Sequence, residues 1–173
     1  MYCLQTQRGF TLVETFVAIT LLLVSVAGPL FIAEQGLRGA QGARDQTIAT
    51  FLAMEAIEYT RNVRDENYLV DRDWLSHMEQ CHNGTCTVDA TKASSIAFRS
   101  CSGSCTPLSQ HTSSYLYSHD VANGSDRVST KFRRERTLVE ISPTEVEIRV
   151  RVSWSDGRGT RVVEAVDYLH NWI

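Results

Sequence analysis

One carboxylate and a cluster of cysteines are the residues best placed to do specific chemistry. Glu14 lies inside "GFTLVETFVAITLLLVSVAGPLFIA", residues 9–33, a run that carries no other charge. An ionised carboxylate at the centre of a bilayer costs about 2.5–3.5 kcal/mol on insertion scales. Its chemistry is therefore that of a charge that needs a partner. Cys81, Cys86, Cys101 and Cys105 fall within one short central stretch, while Cys3 lies ahead of the apolar run. An even cluster behind an export signal reads as disulfides in an oxidising compartment. With His82 beside them the same cysteines could be drawn as a zinc site, but Cys81-x4-Cys86 and Cys101-x3-Cys105 miss the C-x2-C spacing such sites use.

Four cysteines allow three connectivities. "CHNGTC" has Asn83-Gly84 at its centre, the strongest signal for a two-residue type I′ hairpin. In such a hairpin Cys81 and Cys86 face each other as a non-hydrogen-bonded pair about 4.5 Å apart at Cα. That lies at the short end of the range of about 4.4–6.8 Å a disulfide accepts. The expected bonds are Cys81–Cys86 and, by remainder, Cys101–Cys105 around Ser102-Gly103-Ser104.

Other candidate groups carry less. There is no G-x-S-x-G, no H-E-x-x-H and no P-loop, so no residue is assigned a catalytic role and no cofactor is expected. His77, His82, His111, His119 and His170 are scattered and read as surface residues. Asp120, Asn123 and Asp126 around Gly124 offer oxygen ligands for calcium, but "DVANGSD" does not match an EF-hand loop and reads as a solvated turn. Asn83-Gly84-Thr85 and Asn123-Gly124-Ser125 fit the glycosylation sequon, though Asn-Gly is foremost a turn signal. Trp154 continues an apolar strand face. Trp74 and Trp172 could serve packing or an adhesive contact.

The elements that must position these groups follow from periodicity. Residues 1–9 are short and mostly polar, with one positive charge at Arg8. Residues 10–33 are apolar and long enough, at about 1.5 Å per residue, to cross a hydrocarbon core of about 30 Å. Gly28-Pro29 should interrupt this helix, and Gly36, Gly39 and Gly42 each weaken it by about 1 kcal/mol. Residues 28–42 are therefore expected to be soft. From Asp45 the helical signal strengthens, with an apolar stripe at Ile48, Leu52, Ala56, Tyr59 and Val63, broadened by Phe51. Glu58 and Arg61 can pair on the wet side. Tyr68, Leu69 and Trp74 should pack near the end of the helix. Residues 34–66 thus continue the helix in amphipathic form, and 67–173 form an extracytoplasmic domain.

Within that domain 81–130 reads as loops and short strands, and 131–173 as an antiparallel sheet. Val146, Ile148, Val150, Val152 and Trp154 alternate with Glu145, Glu147, Arg149, Arg151 and Ser153, which marks a half-buried strand. "SDGRG" is turn chemistry, Thr160–His170 returns as a strand, and Thr130–Ile141 precedes as the first of three. The plan is α+β, one long helix on an antiparallel sheet. A formal charge of −3 over 173 residues gives no footprint for nucleic acid.

"RGFTLVE" resembles the processing motif of type IV prepilins and type II secretion pseudopilins. Arg8, Gly9, Phe10 and Glu14 fill the family's places: a short basic leader ending in Gly, an apolar first residue, and Glu as fifth residue of the mature chain. "RDQTIATFLAMEAIEYTRNVRDENYL", "CTVDA", "TKFRR" and "VEIRVRVSW" are similar to minor pilins of the PilV type. The resemblance implies a type IV pilin-like fold, cleavage between Gly9 and Phe10 by a prepilin peptidase, N-methylation of Phe10, and storage in membrane lipid. It further implies assembly with other pilin or pseudopilin subunits on an inner-membrane platform, into a surface pilus or pseudopilus. It also names the partner of Glu14, the cationic amine of Phe10 on a neighbouring subunit, since pairing opposite charges offsets much of the burial cost of each. Two plainer readings of the same run are an uncleaved signal anchor carrying a binding module, and a secretory signal peptide cut after Ser25-Val26-Ala27.

Overall fold

The computed structural model describes residues 9–120 and 126–171. Helix α1 spans Leu12–Leu69 and passes through Pro29 without a break. This corrects the expected interruption at Gly28-Pro29. A proline removes one backbone hydrogen bond while those on either side persist, and in an apolar helix the turn adjusts locally. The three glycines do not end it either: α1 runs on through Gly36, Gly39 and Gly42, whose cost of about 1 kcal/mol each weakens a helix without breaking its hydrogen bonds.

After α1 come a single 3-10 turn, Glu79–Cys81, strand β1 (Thr85–Val88), the one-turn helix α2 (Ser94–Ala97), and strands β2 (Phe98–Ser100), β3 (Pro107–His111) and β4 (Tyr117–Ser118). Three long strands follow: β5 (Arg127–Ser142), β6 (Glu145–Ser155) and β7 (Thr160–His170). All seven join one antiparallel sheet. The expected three-strand sheet is its larger part. β5 is long enough, at 16 residues, to pair with β6 along one side and with β3 and then β1 along the other. The short strands β2 and β4 extend those two pairings outwards.

The chain divides into two compact units, Met1–Arg44 and Asp45–Ile173. In the second, the α1 turns from Asp45 on bury Ala49, Leu52, Ala53, Ala56, Ile57 and Val63. The expected stripe is present, with Ile48 and Tyr59 partly buried at its margins. Phe51 does not broaden it and stays 66 % exposed. The buried face is instead widened by small residues, Ala49, Ala53 and Ala56, which let the helix backbone approach the sheet. Opposite lie Val146, Ile148, Val150, Val152 and Trp154, every second residue of β6, with Phe132 and Leu138 from β5. Each fully buried Leu, Ile or Val here contributes about 1.5–3 kcal/mol. Trp74 is in this core, whereas Tyr68 and Leu69, in the last turn of α1, are exposed because they lie off the buried face that runs through Val63 and Asn67.

Two arginines are completely buried between helix and sheet, Arg134 and Arg136 on the core-facing side of β5. Arg134 donates through Nη1 to the Leu52 carbonyl at 2.9 Å and to Glu55, and through Nη2 to the Val88 carbonyl at 2.7 Å. Arg136 has one hydrogen bond, to Thr60 Oγ1 at 3.3 Å, and lies over the Phe98 ring with its guanidinium carbon 4.2 Å from the centroid. Its Nε and Nη2 have no acceptor, and burial pushes its pKa down from the usual arginine value.

Candidate functional site

Gly9 and Phe10 precede the helix outside any regular element, and both are exposed. Thr11 caps the helix: its Oγ1 accepts the backbone N–H of Glu14 at 3.3 Å, and its carbonyl accepts that of Thr15. Glu14 therefore sits in the first turn of α1. Thr11-x-x-Glu14 has the spacing of a capping box, a signal readable in the sequence and missed there in favour of the charge. The position gives Glu14 a local reason to exist, because an acid in the first turn gains about 0.3–1 kcal/mol from the helix dipole. That is smaller than the roughly 2.5–3.5 kcal/mol cost of an ionised carboxylate at mid-membrane. The cap would offset only part of that cost were the start of the helix held in lipid.

The rest of the run leaves no other demand of this kind. Thr15, Thr20 and Ser25 each donate their hydroxyl to the carbonyl three residues earlier at 2.8 Å, so their polarity is satisfied within the helix. The apolar side chains from Phe10 to Ile32 are exposed; Phe10 is 79 % and Ile32 72 % accessible. Helix α1 is long and apolar enough to cross a membrane. An unpartnered apolar surface of this extent needs lipid or other helices to cover it. Arg8 of the proposed leader, and Cys3, lie outside the described residues.

The cysteines form two disulfides, Cys81–Cys86 with Cα atoms 5.6 Å apart and Cys101–Cys105 at 5.1 Å. The route to the first bond differs from the expected hairpin. Cys81 closes the 3-10 turn, His82 bridges to Leu138 of β5, and Asn83 donates its N–H to the Leu138 carbonyl at 3.0 Å. Asn83 takes φ of 51° and Gly84 has no positive φ, whereas a type I′ turn needs both residues there. The Asn-Gly pair turns the chain, and the contact with β5 decides how. With both bonds formed, none of the four thiolates a zinc site would need is free.

The possible calcium ligands are already engaged. Asp120 accepts from Lys92 Nζ at 2.9 Å and Arg127 Nη1 at 2.5 Å, and these bonds hold its carboxyl below the ordinary carboxylate range. Asp126 faces His111 at 3.6 Å and Arg127 at 3.8 Å. Asn123 and Gly124 lie outside the described residues. No cluster of metal-ligating side chains occurs among the described residues.

His119 departs from the surface role expected of it. It is half-buried beside Arg134, Asp89 and Asp120, its backbone N–H bonds Asp89 Oδ2 at 2.9 Å, and neither ring nitrogen has a hydrogen-bond partner among the described residues. Burial first, and then Arg134, push its pKa down to about 4. The second unit also has a groove of about 520 Å³ lined by Ile48, Phe51, Met54, Glu55, Glu58 and Tyr117. Trp172 lies outside the described residues.

No family model, no curated protein and no solved structure matches this chain.

Proposed function

We propose that the chain is a non-enzymatic filament subunit of the type IV pilin and pseudopilin kind, of the minor, PilV-like sort. It is stored in the membrane through residues 10–33, cut between Gly9 and Phe10 by a prepilin peptidase, methylated on Phe10, and extracted through an inner-membrane platform into a helical assembly. The observation that carries this reading is the start of the chain. Gly9, Phe10 and Glu14 keep the family spacing at the mouth of an exposed apolar helix, and a cap such as Thr11 offsets only part of what a charge costs in lipid. Cleavage places a new cation four residues from Glu14. Within one subunit lipid supplies no further counter-charge, whereas a bundle of subunits brings one Glu14 to the next Phe10 amine. The charge thus penalises the isolated helix and favours assembly.

Shearing tests the reading. The chain should be recovered in sheared surface or pseudopilus filaments with residues 10–33 protected; recovery only from the membrane would count against it.

A second reading, a membrane-anchored binding module with an intact signal anchor, is favoured by one observation. The groove beside Phe51 and Met54 is apolar-floored and open, as ligand sites often are. An uncleaved N-terminus with absence from filaments would move the assignment there.

A further inference from the structure

β7 is a sheet edge of 11 residues, twice the usual strand length, with no proline or glycine inside it. It pairs with β6 alone among the described residues, so the outer row of backbone donors and acceptors from Arg161 to Asp167 has no strand partner among them. Such an edge is a template for another strand unless something blocks it. The charges on β7 do not block it in every register; they select one.

We infer that β7 docks antiparallel on β7 of a second copy of this chain, about a two-fold axis at Glu164. Pairing with the buried residues of β6 places Arg161, Val163, Ala165, Asp167 and Leu169 on the core-facing side, and Thr160, Val162, Glu164, Val166 and Tyr168 on the outer side. A two-fold axis between antiparallel edges stands perpendicular to the sheet, so each residue meets one of its own face. Only the register centred on Glu164 then sets Arg161 opposite Asp167, and it does so twice. It also sets Val162 opposite Val166 and Val163 opposite Ala165. A shift to centre Ala165 would put Arg161 against Leu169 and Asp167 against Val163, so Arg161 would face an apolar group and Asp167 would keep only Arg61 of its own chain's helix, 2.6 Å away. The one like pair, Glu164 with itself, is balanced because Arg149 lies 3.3 Å from Glu164 in each copy. Arg161 now bonds Asp156 but is 62 % exposed, free to turn towards a partner's acid.

The axis reverses every direction lying in the sheet, including that of the helix turns packed on it. The contact is therefore distinct from any assembly of parallel helices and stands or falls apart from the proposed filament role.

Register-specific cross-linking of the full chain in detergent micelles tests it, in a Cys3→Ser background. Two preparations, Val162→Cys and Val166→Cys, are mixed under mild oxidation. The expected result is a covalent dimer of one chain with the other, well above either self-linked dimer, together with strong self-linking of Glu164→Cys and little of Ala165→Cys. Adding Arg161→Asp, which sets an acid opposite Asp167, should cut the mixed dimer about fivefold. No dimer, or self-linking of Val162→Cys equal to the mixed product, would overturn the proposal.

Discussion

Arg134 on β5 and Leu52 on α1, 82 positions apart, are joined by a 2.9 Å hydrogen bond from guanidinium to helix carbonyl. Together with Glu55 and the Val88 carbonyl it ties helix and sheet together with a fully buried cation whose two terminal nitrogens are used. Two residues along the same strand face, Arg136 is as deeply buried and has one weak bond and an aromatic ring.

That contrast predicts opposite outcomes for one substitution. Replacing a buried, poorly satisfied ion with an apolar side chain of similar volume is often stabilising by about 1–4 kcal/mol. Arg136→Met should therefore raise the thermal midpoint. Arg134→Met strips partners from Glu55 and from the Val88 carbonyl and should cost about 1–3 kcal/mol. Calorimetry of the two variants checks this; a fall for both would mean that Arg136 contributes more than its contacts indicate.

His119 gives a pH dependence with a definite sign. Its pKa is about 4 folded against 6.5 for a free histidine, so between these values the unfolded chain binds more protons. Stability is then fully present above pH 6.5 and is lost as pH falls towards 4, by an amount on the order of 3 kcal/mol. In His119→Leu this part of the slope should vanish. Thermal midpoints taken across that window decide it, and an unchanged slope in the variant would assign the effect to other groups.

Glu14→Ala keeps the apolar run and removes the charge. On the proposed assembly, the variant should be made and membrane-bound at the normal level but depleted from sheared filaments, because the bundle would lose its charge pair. Filaments containing it at wild-type level would contradict the pairing.

The two disulfides close short loops, five and four residues apart in sequence. Removing Cys81–Cys86 by paired serine substitution should lower stability by less than about 3 kcal/mol, the value for a fifteen-residue loop. Its neighbour His82 keeps the bridge to Leu138, so the fold should persist. Circular dichroism of the double variant reads this directly.

What could be read without coordinates follows the physics of each signal. Alternation along Glu145–Ser155 has period two on a half-buried strand, and β6 and β7 lie where that pattern put them. The stripe on α1 was readable in Leu52 and Val63, with Ala56 falling on their spacing, and not in Ala49 or Ala53, since alanine by itself gives little periodic signal. Phe51 misled because an apolar side chain need not be inside. Arg134 and Arg136 sit at alternating positions where arginine normally marks the wet face, so their burial was hidden; only the partners at Leu52, Val88 and Thr60, far off in sequence, explain it. At the start of the chain Glu14 stands out as a charge in an apolar run, while the cap shows only as a Thr-x-x-Glu spacing. That spacing occurs whether or not a helix begins at Thr11, so only the Glu14 N–H on its hydroxyl identifies the cap.

The central claim, a subunit cut after Gly9 and assembled through Glu14, is tested most directly by the first residue of the membrane-fraction protein. N-terminal sequencing with mass spectrometry of that peptide should find Phe10 first and N-methylated. An intact Met1, or a chain beginning at Gly28, would contradict it.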